Sequence, residues 1–202
     1  MMTITYSGGN SIYINITNRC PCACVFCLRH HKDHYFDSDS LWLDREPTVQ
    51  EICDSIDTWC LDRYNEIVFC GYGEPTERLD ALLQVASYVK SKSNIKIRIN
   101  TNGLSDLING EKTAHKLQGL IDCVSISLNA TNKEEYYKIV RPKFGIDSYD
   151  AMLSFAKDCT KHVAEVVMTV VDVVTTPKEQ ERSREICESI GATLRIRPYE
   201  EN

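Results

Sequence analysis

Four of the ten cysteines in this chain lie between residues 20 and 27, in the run Cys-Pro-Cys-Ala-Cys-Val-Phe-Cys. Three of them, Cys20, Cys24 and Cys27, follow the spacing Cys-x3-Cys-x2-Cys. Iron–sulfur clusters need closely spaced thiolates, and three thiolates on one tight loop can reach three irons of a cubane. The fourth iron then has no protein ligand and is open to an external one, as catalytic metals require. The spacing therefore predicts an iron–sulfur centre with an open coordination position.

A zinc site is the alternative interpretation of this segment, with Cys24, Cys27, His30 and His34 as the four ligands. Only two residues separate Cys27 from His30, which is a tight return for a tetrahedral site and disfavours zinc. The remaining cysteines are scattered, and free cysteine behaves as a small buried hydrophobe. We therefore expect these six to lie in the core: Cys53, Cys60, Cys70, Cys123, Cys159 and Cys187.

Three further segments place glycine or polar residues at the carboxyl ends of predicted strands. Gly71-Tyr72-Gly73-Glu74-Pro75 follows one strand, Asn100-Thr101-Asn102-Gly103 follows the next, and Ser125-Ile126-Ser127-Leu128-Asn129 forms a third. Glycines let the backbone approach a ligand closely, and a carboxylate accepts hydrogen bonds from an ammonium group. Each segment alone is typical of a turn, so the significance lies in their shared position along successive strands.

The elements that must position these residues alternate between strand and helix patterns, which implies parallel pairing and right-handed crossovers. Residues 3–17 open the chain as a hairpin around Ser7-Gly8-Gly9-Asn10, and the cysteine loop follows directly. We expect six strands after this hairpin, two short of an eightfold barrel. The predicted helices cover residues 48–63, 79–92, 113–117, 133–139, 149–161 and 177–190.

Several predicted strands carry polar residues on the face opposite the helices, including Arg98 with Lys96, Ser125 with Ser127, and Arg195 with Arg197. A closed barrel fills its interior mainly with branched apolar side chains. The pattern therefore favours an α/β fold with a partial (β/α)6 TIM-like barrel, open on one side, with an N-terminal β-hairpin. An open sheet with helices on one face is the alternative.

The arginines on the open side offer a binding site for an anionic substrate. Arg195 and Arg197 lie on the last predicted strand, and Lys96 or Arg98 would line the same side. The structural alternative is a pair of salt bridges from these arginines to Glu200 and Glu201.

Composition limits the remaining possibilities. A chain of 202 residues is long enough for a single domain over 1–202 with a sizeable core. The formal net charge of −6 disfavours non-specific nucleic-acid binding, which requires neutralisation of phosphates. The start lacks a basic segment followed by an apolar stretch, and no run is apolar enough to span a bilayer. We therefore expect a cytoplasmic protein without membrane association.

The cysteine motif, together with the three glycine and polar segments in order, resembles the radical SAM superfamily, in which SAM denotes S-adenosylmethionine. The resemblance implies that Cys20, Cys24 and Cys27 ligate a [4Fe–4S] cluster, whose fourth iron SAM chelates through its amino and carboxylate groups. Cys22 matches no position of the family motif. The resemblance further implies that a set of residues contacts the adenine, methionine and ribose of SAM, comprising Phe26, Gly71, Gly73, Glu74, Asn102, Ser127, Asn129 and Arg141.

By this resemblance, an electron-donor protein of flavodoxin or ferredoxin type reduces an oxygen-sensitive cluster, and SAM is cleaved to methionine and a 5′-deoxyadenosyl radical. That radical abstracts hydrogen from a substrate, which we expect to be small or nucleotide-derived. His30, next to the cluster, is a candidate for contacting SAM or substrate, with a solvated loop as the alternative. An activase that generates a radical on a partner protein is the other enzymatic possibility, and a non-enzymatic zinc-binding module the remote one.

Among the compact members of the family, the chain looks most like the small radical SAM proteins associated with TatD-type hydrolases. Arg141-Pro142 and the short C-terminus carry this finer resemblance. It implies a TatD-type hydrolase as a partner and does not identify a substrate.

Overall fold

The computed structural model describes residues 2–30, 38–172 and 175–198. Its strands form one sheet in which each strand pairs with its neighbours in chain order. The first two strands are antiparallel, and every later pair is parallel. The strands are β1 (Thr5–Gly8), β2 (Ser11–Ile14), β3 (Glu66–Phe69), β4 (Lys96–Thr101), β5 (Cys123–Ser127), β6 (Glu165–Val171) and β7 (Thr193–Arg197).

Helices and 3-10 turns fill the connections between the parallel strands. Two helices begin with capping boxes, in which Thr48 pairs with Glu51 and Thr176 with Glu179. No helix within the described ranges is long and apolar enough to cross a membrane. The helices are α1 (Val49–Asp57), α2 (Leu79–Lys92), α3 (Ser105–Asn109), α4 (Lys133–Val140), α5 (Ser148–Cys159) and α6 (Pro177–Ile190).

The structure confirms the partial, open barrel with its N-terminal hairpin and corrects the strand count. In the described chain, five strands follow the hairpin, and the sixth parallel strand is the second strand of the hairpin itself, β2. The helix predicted over 48–63 ends at Asp57. It does not continue to residue 63 because the backbone is extended at Cys60, and a separate 3-10 turn follows at Leu61–Arg63. The helix predicted over 113–117 is a 3-10 turn, Ala114–Leu117.

The two faces of the sheet differ as the alternation predicts. The helix-facing side is apolar and buried, with Ile12, Phe69, Ile97, Ile126 and Met168 in one continuous core.

The other, open face is polar. On it Arg98 donates to Glu66 and to Asn100, and Arg195 donates to the Ser125 hydroxyl. Parallel strands with this pattern bring their carboxyl ends to one edge, where the cysteine loop lies.

Candidate functional site

The cysteine loop follows β2 and is held by the chain that leaves α4. The Ala23 N–H donates to the Val140 carbonyl at 3.1 Å, and the Val25 N–H donates to the Ile139 carbonyl at 2.9 Å. Cys22 forms an isolated antiparallel bridge with Pro142. These backbone contacts fix the loop from the side of α4, although more than a hundred residues separate the two segments in sequence.

A carboxylate braces the residues just before the cysteines. Glu46 accepts hydrogen bonds from the Thr17 hydroxyl at 2.7 Å and from Arg19 Nε at 2.6 Å, and it pairs with Arg78 at 3.4 Å. Arg78 also donates to the Ile16 carbonyl at 2.9 Å. The chain therefore enters the cysteine loop along a defined path.

Cys22, which the motif leaves unassigned, is buried inside the site with only 4% of its surface exposed. Asn102 Nδ2 lies 3.6 Å from Cys22 Sγ and 4.0 Å from Cys20 Sγ, so one side-chain amide faces both sulfurs. Hydrogen bonding from the Cys22 thiol lowers the pKa of Cys20 and of Cys24, although burial of both opposes this effect. The same contacts, together with burial, raise the pKa of Cys22 itself.

Cys27 differs from the other two motif cysteines. Burial raises its pKa, while the Arg29 backbone N–H and the Arg29 charge oppose that increase. The Arg29 guanidinium donates to the Cys22 carbonyl at 3.1 Å, which places this cation beside the thiols. Sequence reasoning missed Arg29, although a cation two positions after a thiolate is a recognisable signal, because cations favour the thiolate form.

Gly71 and Gly73 allow two loops to touch. A Cβ atom on Gly73 would lie 2.2 Å from the Thr17 carbonyl oxygen and 2.7 Å from the Arg19 carbonyl oxygen. A Cβ atom on Gly71 would lie 2.0 Å from Asn15 Oδ1. Both glycines therefore pack the loop after β3 against the entry to the cysteine loop, which is the close backbone approach that glycine permits.

Glu74 is buried and joins the loop after β3 to the loop after β4. One carboxylate oxygen accepts from the Thr76 N–H and hydroxyl and from the Thr101 hydroxyl, at 3.1, 2.8 and 2.7 Å. The other accepts from the Asn102 N–H at 2.7 Å. Burial raises the pKa of Glu74, and these hydrogen bonds oppose that increase. The first oxygen is fully engaged by protein donors, which leaves the second, with one donor, the better able to accept from a ligand.

Strand β5 and the loop after it carry the next two candidate contacts. Ser127 is half-buried at the last position of β5, and Asn129 follows with a positive φ of 61°. Asn129 is 3% exposed, and its Oδ1 atom has no partner among the described residues. A buried acceptor without a donor is unusual in proteins, so this atom fits a site that receives a donor from a ligand. Phe26 is half-buried between Cys24 and Cys27.

Two further candidates are Arg141 and His30. Arg141 ends α4 in a left-handed conformation at φ 50°, is exposed, and directs its Nε to the Lys138 carbonyl at 3.4 Å. Its side chain therefore bonds to its own helix. His30 ends a 3-10 turn at Leu28–His30, but its side chain, like His31 and His34, lies outside the described residues.

The predicted substrate arginines lie on the open face. Arg195 and Arg197 are exposed on β7, and neither forms an ion pair with a described residue, while Glu200 and Glu201 lie outside the described ranges. Although Arg197 is exposed, partial desolvation by the surrounding protein lowers its pKa. The positive charges of Arg195 and Arg98 lower this pKa further, whereas Cys70 opposes the decrease. Lys96 is exposed at the start of β4, and Arg98 is neutralised by Glu66 at 2.6 Å.

The donor set fits an iron–sulfur cluster. In the described part of the chain, no three His, Cys, Asp or Glu side chains surround one metal position. A cubane does not require this, because each thiolate binds a different iron. Closely spaced thiols, two with lowered pKa, and a buried unpartnered acceptor at Asn129 fit the cluster and SAM that the motif implies.

Comparisons with known proteins agree with the motif. The family model of the radical SAM superfamily matches residues 14–189. A curated relative named probable GTP 3',8-cyclase, from Methanocaldococcus jannaschii, is 30% identical over 187 residues. The match covers 92% of this chain and 57% of the relative, so the chain spans little more than half of that protein's length.

Solved structures share the fold at low sequence identity. A radical SAM methyltransferase from Sphaerobacter thermophilus aligns with 96% of this chain and 57% of its own, at 17% identity and a TM-score of 0.63. The hydrogenase maturase HydG from Carboxydothermus hydrogenoformans aligns with 95% of this chain and 44% of its own, at 14% identity and a TM-score of 0.68. With the fold, the cysteine loop and the family match in agreement, this chain belongs to the radical SAM superfamily.

Proposed function

We propose that this chain is the catalytic core of a radical SAM enzyme, in which Cys20, Cys24 and Cys27 hold the [4Fe–4S] cluster. The observation that carries the proposal is the gathering of these thiols on one braced loop at the carboxyl edge of the parallel strands. When bound, the cluster and SAM supply the 5′-deoxyadenosyl radical that abstracts hydrogen from substrate, once a donor of flavodoxin or ferredoxin type has provided an electron.

The residues around the thiols would bind SAM and orient it. Asn102 directs its side-chain amide at the sulfurs, and the buried Asn129 Oδ1 offers an acceptor without a partner. The second oxygen of Glu74 can accept from the methionine ammonium group. Phe26, Ser127 and the backbone at Gly71 and Gly73 complete the proposed surface, while Arg141 would have to leave the Lys138 carbonyl to pair with a carboxylate.

The open face supports a small anionic substrate. Arg195 and Arg197 are cations without a carboxylate partner in the described residues, on the face that runs up to the cysteine loop. Guanidinium groups suit carboxylate and phosphate oxygens, which they can bind through two hydrogen bonds. The relative's name specifies GTP, a phosphorylated nucleotide, which supports a nucleotide-derived substrate for this chain as well.

An anaerobic assay tests the proposal. The chain would be reconstituted with iron and sulfide, reduced with dithionite and given SAM, and 5′-deoxyadenosine would be measured, with Cys24→Ala as the inactive control. We expect product from the wild type only. If zinc fills the site and iron does not, the cluster assignment is wrong and the zinc-binding module takes its place.

The substrate class is tested with GTP as the probe. Arg195→Ala with Arg197→Ala should abolish turnover of GTP while SAM cleavage without substrate continues. The matched control is Arg184→Ala, which removes an arginine that pairs with Glu181 on the exposed side of α6. Unchanged GTP turnover in the double variant would remove the two arginines from the binding site.

An activase acting on a partner protein is the second candidate. Val25, within the cysteine loop, is 45% exposed, and Trp42 is 41% exposed against Tyr72. Exposed apolar side chains beside a site favour protein contacts. Recovery of a radical-bearing partner after incubation with reduced enzyme would favour this candidate over the small substrate.

The finer resemblance to the TatD-associated proteins belongs to the same proposal. It depends on Arg141-Pro142 and the compact chain, whereas the curated relative is named for a GTP cyclase. Co-purification with a TatD-type hydrolase would support that assignment. A single domain over 1–202 and a cytoplasmic location are likewise proposed.

A further inference from the structure

Tyr136 is the largest side chain on α4 that is completely buried, and its hydroxyl has no hydrogen-bond partner among the described residues. A buried hydroxyl without a partner has lost its bonds to water and gained nothing in return. Folded proteins pair nearly all such groups. An exception on the helix that holds the cysteine loop is therefore a candidate to pair with a bound cofactor.

Tyr136 lies in the same buried core as Cys22, on the helix that contacts the cysteine loop. Tyr136 lies one turn before the segment that binds the cysteine loop through Ile139 and Val140. Its ring packs on Tyr149, with 5.5 Å between ring centroids. Burial raises the pKa of Tyr136, and the nearby Cys22, Cys24, Glu74 and Cys20 add to that increase.

We propose that the Tyr136 hydroxyl is a positioning residue that donates a hydrogen bond to a sulfur of the [4Fe–4S] cluster. The inference rests on the proposed function, because it requires the cluster at Cys20, Cys24 and Cys27. Hydrogen bonds to cluster sulfurs set the reduction potential. The reduced cluster carries one more negative charge, so a donor stabilises the reduced state more than the oxidised state, and Tyr136 raises the potential.

The test compares Tyr136→Phe with Tyr149→Phe in the reconstituted protein. Both changes delete one hydroxyl from the same aromatic pair, and only that of Tyr136 is acted on by the cysteine-loop thiols. An anaerobic redox titration followed by electron paramagnetic resonance gives the midpoint potential of each variant. For Tyr136→Phe we expect about a tenfold lower ratio of reduced to oxidised cluster at a fixed potential, equivalent to about 59 mV for one electron.

Tyr149→Phe should keep the wild-type potential. Equal potentials in Tyr136→Phe and the wild type would overturn the inference while leaving the cluster in place. A wild type that assembles no cluster would refute the proposed function, and this inference with it.

A second measurement does not depend on the variant folding. Pulsed electron paramagnetic resonance of the reduced wild type in H2O and in D2O should reveal an exchangeable proton coupled to the cluster. The absence of such a proton would overturn the inference, and its loss in Tyr136→Phe, but not in Tyr149→Phe, would assign it.

Discussion

The carboxylate of Glu74 accepts a hydrogen bond from the Asn102 backbone N–H at 2.7 Å, which ties together two loops from neighbouring strands. Asn102 in turn directs its side-chain amide at Cys22 and Cys20. The glutamate therefore positions the cysteine-facing amide, whether or not it also contacts SAM.

Glu74→Gln should weaken this link, because the replacement puts an amide NH2 group among donors that need an acceptor. Hydrogen bonds to a charged group contribute about 1.5–3 kcal/mol each, so we expect the free energy of unfolding to fall by about 2 kcal/mol in urea denaturation. Affinity for SAM, measured by calorimetry on the reconstituted protein, should fall as well. Glu111→Gln, at an exposed pair with Lys116, is the control; similar losses in both variants would contradict the prediction.

Gly73→Ala should separate the loop after β3 from the cysteine loop. The new methyl group would lie 2.2 Å from the Thr17 carbonyl oxygen, and a backbone atom cannot move as a side chain does. We expect a loss of about 1–3 kcal/mol in stability and several-fold less iron after reconstitution. Gly119→Ala meets open space at a positive φ of 77°, so it should cost stability but retain iron. Full iron content in Gly73→Ala would count against the prediction.

Cys22→Ala separates the three proposed ligands from the extra thiol. Because Cys22 matches no position of the family motif, and its contacts with Cys20 and Cys24 raise its own pKa while lowering theirs, we expect Cys22→Ala to keep its full iron and sulfide content. Cys24→Ala should lose both, as measured by colorimetric analysis and the visible absorption of the cluster. The reverse pattern would make Cys22 a ligand.

The Glu66–Arg98 pair on the open face should make stability depend on acid pH. Burial raises the pKa of Glu66, but the hydrogen bonds and charge of Arg98 outweigh it, so the pKa lies below its ordinary value of 4.5. The ionised form therefore stabilises the fold above that value, and this contribution is lost as the pH falls through the lowered folded pKa.

Unfolding free energies of the wild type and Glu66→Gln, compared at pH 7 and at successively lower pH, should converge in acid. We expect the gap at pH 7 to be about 1 kcal/mol. Glu185→Gln, at an exposed pair with Arg182, provides the control for an ordinary surface carboxylate. A gap that is constant with pH would show that Glu66 does not act through its charge.

The sequence by itself determined the elements that depend on local pattern. Alternation along Lys96 to Asn100 and Leu194 to Arg197 predicted a polar open face, which the bonds from Arg98 to Glu66 and from Arg195 to Ser125 confirm. The cysteine spacing indicated the superfamily, which the family match confirms. Helix ends were less accurate: the helix predicted over 48–63 ends at Asp57, and the backbone is extended at Cys60.

Only the tertiary structure decided what surrounds the thiols. Spacing gave Cys22 no role, yet the fold buries it between two candidate ligands and beside Asn102. Nothing in the local sequence of Tyr136 marks a hydroxyl without a partner, because α4 reaches the cysteine loop across more than a hundred residues. Periodicity and spacing are local properties of a chain, whereas burial and hydrogen-bond partners depend on which distant segments the crossovers bring together.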